Sequence, residues 1–144
     1  MSNTIKITAP SVFGEALARE IIKPGHLIEL ISTGKLQKHE GHGSVAEKMF
    51  AIEDELQGNG TTDAYAVDAL VQYGIWRSGD VVNARMAVSQ TIVIGDKLIS
   101  AGGGQLKEIA SDSSAGSETS QYPIAVALEA YSGAADGFCL VRII

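Results

Sequence analysis

The side chains that could perform chemistry are few and lie far apart along the chain. The segment His39-Glu40-Gly41-His42 brings two imidazoles and a carboxylate together, and these groups are common zinc ligands. Two histidines on one face of a helix need an i,i+4 spacing, which this segment lacks, and no third ligand follows nearby. We therefore interpret the segment as a solvated loop and predict no bound metal.

Cys139 is the single cysteine, so an intrachain disulfide cannot form. Paired with a histidine, its thiol could act as a nucleophile. It lies within the apolar run Phe138-Cys139-Leu140-Val141, however, where a cysteine is usually buried and inert. No Gly-x-Ser-x-Gly motif is present either. We predict no catalytic residues and no enzymatic activity, and a small hydrolase that uses Cys139 or the His39/His42 loop remains an alternative.

The glycine-rich segment Gly102-Gly103-Gly104 could suggest a phosphate-binding loop. A P-loop continues with Lys and then Ser or Thr at the start of a helix, whereas Gln105-Leu106-Lys107 follows here. A hairpin turn explains the glycines better. Asp80 and Asp96 each follow a glycine, and in such turns the carboxylate usually hydrogen-bonds the local backbone. The sequence thus predicts no cofactor site.

Charge and hydropathy argue against two further classes of partner. The chain has 144 residues and a net charge of -6, and no stretch clusters Lys and Arg as a nucleic-acid-binding patch would. No apolar run approaches the ~20 residues that span a bilayer, and the N-terminus lacks a signal-peptide pattern. We expect a protein that is made in a reducing cytoplasm and binds neither nucleic acid nor membrane.

Aromatic side chains are the remaining candidates for binding. Trp76, Tyr65 and Tyr73 are of the types that anchor protein interfaces, although such residues are equally common at the edge of a core. We take these three as interface-anchor candidates. A ligand-binding β-domain of a host cell, which would use them on a sugar or small molecule, is a further alternative.

Short strands between tight turns are the elements that must position these side chains. Hydrophobic residues make up 45% of the chain but aromatics only 6%, and sixteen glycines accompany three prolines, which indicates an aliphatic core with many turns. Turn signals recur at roughly 8–12 residues, which is typical of an all-β barrel or sandwich. The expected strands are 26–31, 35–39, 67–75, 82–86, 91–94, 98–99, 106–110, 124–128 and 138–144, with an exposed loop at 111–121 and a turn at 132–136.

The N-terminal segment has a different pattern. Ile5 and Ile7 alternate with polar residues, whereas Phe13, Leu17 and Ile21 recur at every fourth position, which favours one or two helical turns. We divide the chain into an N-terminal arm, residues 1–23, and a single β-rich domain, residues 24–144.

The segment 44–57 fits two structures. Ser44-Val45-Ala46-Glu47 matches the capping box that begins many helices, and Val45, Met49, Ile52 and Leu56 follow at helical spacing. Met49-Phe50-Ala51-Ile52-Glu53 would equally suit a strand. The residue pattern leaves helix and strand open at this point.

A series of short motifs follows in order from Lys23 to the C-terminus. They are Lys23-Pro24-Gly25-His26-Leu27-Ile28-Glu29-Leu30, Phe50-Ala51-Ile52-Glu53, Gln57-Gly58 with Ala64-Tyr65, Ser78-Gly79-Asp80 with Ala84-Arg85-Met86-Ala87, Ile94-Gly95-Asp96-Lys97-Leu98, Gly104-Gln105-Leu106, Ile124-Ala125-Val126-Ala127-Leu128-Glu129-Ala130, and Val141-Arg142-Ile143-Ile144. In this order and spacing the chain resembles the decoration, or head cement, proteins of tailed bacteriophages.

The resemblance implies a small β-barrel-like domain with an extended N-terminal arm, no cofactor and no enzymatic activity. It implies a homotrimer on the outer surface of the virion capsid, where it binds the major capsid protein at three-fold and quasi-three-fold sites and stabilises the lattice. It also favours a strand at Phe50–Glu53.

Within the arm, the apolar side chains of Ile5, Ile7, Val12 and Phe13 are the capsid-contact candidates. An ordered arm of this kind could pair with the edge of a sheet in another protein. Deletion of Met1–Pro10 is then expected to weaken binding to the shell while the domain stays folded.

Overall fold

The computed structural model of the chain describes residues 4–109, 121–133 and 137–144. Over these ranges the secondary structure consists of β-strands and one 3₁₀ turn, without an α-helix, so the all-β prediction is confirmed. The strands are β1 (Val12–Leu17), β2 (Ile28–Leu30), β3 (Leu36–Lys38), β4 (Met49–Ala51), β5 (Leu70–Ile75), β6 (Val81–Met86), β7 (Gln90–Ile92), β8 (Lys97–Gly102), β9 (Gln105–Glu108), β10 (Ala125–Ala127), β11 (Tyr131–Gly133) and β12 (Gly137–Ile143), and the 3₁₀ turn is Glu55–Gln57.

Five strands close into a small barrel in the order β10-β12-β6-β9-β8. Adjacent strands of the barrel are antiparallel except β6 and β9, which run parallel and pair at Met86 and Leu106. The longest pairing joins β12 to β6, from Gly137 opposite Met86 to Arg142 opposite Val81. Alternate residues of each strand point into the barrel, and their aliphatic side chains form the main core. This core includes Val82, Ala84, Met86, Leu98, Leu106, Ala125, Val141 and Ile143.

A second, smaller core lies beneath the antiparallel sheet β1-β5-β4 and the β2–β3 hairpin. Its buried residues are Ala18, Ile22, Ile28, Leu36, Met49, Ala51, Tyr65 and Val71. Strands β7 and β11 form a separate antiparallel pair. The chain therefore builds a β-sheet layer from its N-terminal half and a barrel from its C-terminal half.

Two Gly-Asp turns of the barrel have the same geometry. Gly79 and Gly95 adopt φ values of 97° and 96°, in the left-handed region that glycine tolerates. The Asp80 carboxylate accepts the backbone N–H of Arg77 at 3.0 Å, and the Asp96 carboxylate accepts that of Val93 at 2.9 Å. These aspartates stabilise their own turns, as the sequence predicts.

The helix expected between Phe13 and Ile21 is wrong, because residues 12–17 form strand β1 against β5. Residues four apart share one face of a strand as well as of a helix, so the spacing of Phe13 and Leu17 fits both. The strand that the resemblance favours at Phe50 is confirmed as β4.

The C-terminal hairpin is confirmed in part. β10 pairs with β12, with Ala125 opposite Ile143. The turn expected at 132–136 begins instead as a strand, because β11 pairs with β7 over Tyr131–Gly133. Residues 134–136, and the loop expected at 111–121 up to residue 120, lie outside the described residues.

The described part of the predicted arm packs on the rest of the chain as an extended segment. Lys6 forms a bridge with Val82 of β6, the N–H of Asn83 donates to the Ile5 carbonyl at 3.0 Å, and that of Thr8 donates to the Val81 carbonyl at 3.0 Å. The Ile5 side chain is fully buried in the main core. Residues 4–8 thus continue the hydrogen bonding along β6.

Candidate interaction surface

The two histidines of the candidate metal site have different environments. His39 is buried, with Nδ1 2.7 Å from Ser100 Oγ and Nε2 3.2 Å from the Val45 carbonyl, whereas His42 is exposed. The solvated-loop interpretation is therefore correct for His42 and wrong for His39. No group of three or more His, Cys, Asp or Glu side chains within the described ranges is placed to hold a metal ion.

Cys139 lies in the interior of the barrel, as its apolar neighbours predict. Its Sγ is 3.5 Å from the backbone carbonyl of Glu129. Burial, with a smaller contribution from the Glu129 charge, raises the pKa of the Cys139 thiol to about 11. The thiolate is the nucleophilic form of cysteine, so this environment disfavours nucleophilic chemistry at neutral pH.

Two of the three aromatic candidates are core residues of this chain. Trp76 is buried against Phe50, with ring centroids 5.8 Å apart, and its indole N–H donates to the Thr8 carbonyl at 2.8 Å. The Tyr65 hydroxyl donates to the buried Ile52 carbonyl at 2.7 Å, and burial raises its pKa to about 12. Tyr73 is half-buried. Trp76 and Tyr65 therefore have little surface left for a sugar or a partner protein.

The four capsid-contact candidates differ in how much of their side chains is exposed. Ile5 is fully buried and has no surface to offer a neighbouring subunit, whereas Ile7, Val12 and Phe13 are exposed. Val12 and Phe13 are consecutive in β1 and so point to opposite sides of the sheet. Phe13 lies on the side away from the core, with 60% of its surface exposed.

Further apolar side chains lie near Phe13 on this outer side. The β1–β5 register places Phe13 opposite Gly74, Glu15 opposite Gln72 and Leu17 opposite Leu70. Val71 and Tyr73, which lie between them on β5, belong to the smaller core or pack against it, so the Glu15–Gln72 and Leu17–Leu70 pairs lie on the other side of the sheet. On that side Gly74 is covered by Pro10 and Trp76. We call the exposed apolar residues Phe13, Leu17, Leu70 and Leu56, with the polar Glu15 and Gln72 between them, the Leu56 surface.

Leu56 is the most exposed large apolar residue described, with 96% of its surface in contact with solvent. It lies in the 3₁₀ turn, where the N–H groups of Gln57 and Asn59 both donate to the Asp54 carbonyl at 3.1 Å. Gly58 ends the turn at φ 76°, and its N–H donates to the Glu55 carbonyl at 3.0 Å. The backbone is thus fixed by hydrogen bonds while its leucine points into water.

Two shallow grooves meet at Leu56. One, of about 180 Å³, has Phe13 and Ile52 in its wall, and the other, of about 470 Å³, has Leu70 and Ala69. Both are also lined by Asp54, Leu56 and Gln72. An apolar side chain from another molecule could enter either groove beside Leu56 without moving the backbone.

The polar groups around these grooves are mainly carboxylates. Glu15, Asp54 and Glu55 line them, and Glu15 accepts a hydrogen bond from the Gln72 side chain at 2.9 Å. Lys6 is the basic residue among the described lining residues. Its Nζ is 3.5 Å from a Glu55 oxygen and 5.8 Å from the centre of the Phe13 ring. The Leu56 surface therefore combines exposed apolar side chains with neighbouring carboxylates.

Sequence reasoning identifies Phe13 but misses Leu17, Leu56 and Leu70. Leu17 was placed on an expected helix, and Leu56 at the end of an apolar pattern that fitted a helix. The polar neighbours of Leu56, in the run Asp54-Glu55-Leu56-Gln57, were the available signal, because an isolated leucine among them has no core to enter.

Comparison with solved structures bears on the fold. The chain is similar to the head fiber gp8.5 N base of bacteriophage phi29, with a TM-score of 0.58 over 92% of this chain and 93% of that chain, at 11% sequence identity. No protein-family model matches the chain. No curated protein matches its sequence. At this identity the match establishes a shared fold.

No helix in the part of the chain that the structure describes has both the length and the apolar character to cross a bilayer.

Proposed function

We propose that this chain is a structural protein of a tailed-phage virion that binds the outside of the icosahedral head. It would act as a homotrimer at three-fold and quasi-three-fold sites, where it contacts the major capsid protein and stabilises the coat lattice. Its role would depend on surface complementarity and would need neither a catalytic residue nor a cofactor.

The observation that carries the proposal is the fold shared with a protein described as the base of a phage head fiber, over nearly the whole of both chains. The motif order from Lys23 to Ile144 supports the same class of protein independently, through its resemblance to head decoration proteins.

The exposed apolar residues are consistent with this role. Phe13 and Leu56 line the same groove, and contact with another molecule would remove their exposed apolar surface from water. Burying a large aliphatic side chain contributes about 1.5–3 kcal/mol, and a trimer repeats each such contact three times. A small domain can therefore bind a symmetric shell tightly through a few contacts per protomer.

Co-sedimentation tests the proposal directly. Purified protein is mixed at micromolar concentration with expanded heads of the phage that encodes it, depleted of this protein, and pelleted. We expect saturable binding that stops when the local three-fold sites are filled, and delayed thermal opening of the loaded shells. Protein that stays in the supernatant at this concentration would contradict the proposal.

Oligomeric state and location need separate measurements. Light scattering coupled to size exclusion gives the mass in solution, which we expect to be three times 15.1 kDa. Antibody labelling of intact virions should mark the head surface without disruption. Labelling that requires opened heads would contradict an outer location.

A further inference from the structure

We infer that the Leu56 surface is the part of the molecule that contacts the coat shell, and that it binds a coat segment carrying an apolar side chain flanked by Lys or Arg. The inference rests on the proposed function and identifies its contact site.

The first step of the argument concerns geometry. Leu56 is almost completely exposed, yet the turn around it is fixed by three backbone hydrogen bonds. Because the backbone is already ordered, only the side-chain rotamers of Leu56 have to be fixed when a partner covers it, so more of its burial energy is available for binding. Phe13 and Leu70 extend the apolar area on either side of Leu56.

The second step concerns charge. Glu15, Asp54 and Glu55 line the grooves, and Lys6 already lies within salt-bridge distance of Glu55. A basic segment would meet complementary charges here. An anionic lipid surface would meet like charges, which disfavours a membrane as the occupant.

The third step concerns a second copy of this chain. Two copies that met through this surface about a two-fold axis would bring Glu15, Asp54 and Glu55 against their own equivalents. Each copy also carries a net charge of -6. Charge complementarity therefore disfavours a two-fold contact between copies and favours a basic segment of a different protein at this surface. A three-fold contact would set this surface against another face of the next copy, and the mass of Leu56→Ser in solution distinguishes that case.

A matched pair of substitutions tests the apolar part. Leu56→Ser removes the exposed side chain from the surface, and Ile94→Ser removes the next most exposed large apolar side chain described, at 69%, from the turn between β7 and β8. Both should leave the urea unfolding midpoint unchanged, because neither side chain is packed in the protomer. We expect Leu56→Ser to weaken binding to depleted heads about ten- to hundredfold and Ile94→Ser to bind as wild type does.

A second pair tests the charge. Glu15→Gln with Glu55→Gln removes two carboxylates that line the grooves, and Glu47→Gln removes an exposed carboxylate elsewhere. Wild-type binding should weaken as salt rises from 50 to 500 mM, since surface attraction is screened over about 10 Å at 0.1 M salt. The double variant should bind more weakly at 50 mM and depend less on salt, and Glu47→Gln should behave as wild type does.

Three results would overturn the inference. If wild-type protein, Leu56→Ser and the double variant all bind heads equally well, the Leu56 surface is not the contact site. The proposed function would still stand. A smaller mass in solution for Leu56→Ser would show that the surface joins copies of the chain. Wild-type protein that does not bind heads would overturn the proposed function and the inference together.

Discussion

The backbone N–H of Ile5 donates a hydrogen bond to Oε2 of Glu53, 3.2 Å away and 48 positions further along the chain. The Thr4 hydroxyl donates to the other oxygen of the same carboxylate. Glu53 is buried and directly precedes the turn that presents Leu56. The N-terminal segment therefore helps to fix the position of the Leu56 surface.

This packing predicts that Ile5 stabilises the domain. Ile5→Ala should lower the free energy of unfolding by about 2–5 kcal/mol, because it leaves a cavity in the main core. Ile7→Ala, at a side chain 41% exposed, should change it by no more than about 0.5 kcal/mol. Urea unfolding followed by Trp76 fluorescence measures both. Equal changes in the free energy of unfolding at the two positions would show that Ile5 is not packed in the main core.

Deletion of Met1–Pro10 provides a stronger form of the same prediction. The sequence alone predicts a domain that stays folded without these residues, whereas the structure places Ile5 and Pro10 among buried residues. We expect the shortened chain to unfold at lower urea concentration, and to lose binding to heads partly for that reason. A shortened chain with an unchanged midpoint would support the original expectation.

Gly74 offers a test of the contact between the N-terminal segment and β5. A methyl group at this position would lie 2.7 Å from Cβ of Pro10 and 2.9 Å from Cη2 of Trp76. Gly74→Ala should therefore cost about 1–3 kcal/mol of stability, because the rigid proline ring or the indole must move. At Gly60 the nearest atom would be 3.9 Å away, at Asp63 Oδ2, so Gly60→Ala should be tolerated. Thermal unfolding of the two variants gives the comparison.

The barrel was largely predictable because its signals are local. Alternation in Val82, Ala84 and Met86 reflects one face in contact with the core, and the turn at Gly95 depends on its own backbone and on Asp96. Such features are decided within a few residues, so they can be recognised from the sequence.

The remaining features depend on distant partners. β11 has only three residues and ends at Gly133, a residue type depleted in strands, and it forms because β7 supplies hydrogen bonds. The Leu56 surface joins β1, β5 and the 3₁₀ turn, which are separated in sequence. The exposure of Leu56 is indicated only by its polar neighbours, because its helical spacing predicts a side chain that faces a core.

The buried phenol and thiol predict a loss of stability in alkali. The pKa of Tyr65 is raised from 10.0 to about 12, and that of Cys139 from 9.0 to about 11, chiefly by burial. As pH rises above 9 the unfolded chain releases these protons before the folded chain does, so unfolding becomes more favourable. The stabilisation is complete below pH 9 and is lost between about pH 9 and 12.

Urea midpoints at pH 8, 9, 10 and 11 measure this loss. Tyr65→Phe should be less stable at pH 8, because the Ile52 carbonyl loses its donor, but its midpoint should fall less steeply between pH 10 and 11. The substitution leaves every other ionisable group in place, so the difference in slope isolates the tyrosine. Parallel curves would show that Tyr65 has the same pKa in both states.

Cys139 should react slowly with a thiol reagent in the native protein. At pH 8 the thiol is almost entirely protonated, since its pKa is about 11, and it lies in the barrel core. Modification by a disulfide reagent must then wait for local or global opening, so the rate should fall as stability rises. Ser78→Cys in a Cys139→Ala background places a thiol at an exposed turn and should react at once, as should Cys139 in the unfolded chain. A native Cys139 that reacts as fast as the Ser78→Cys thiol would show that the barrel is open to solvent at β12.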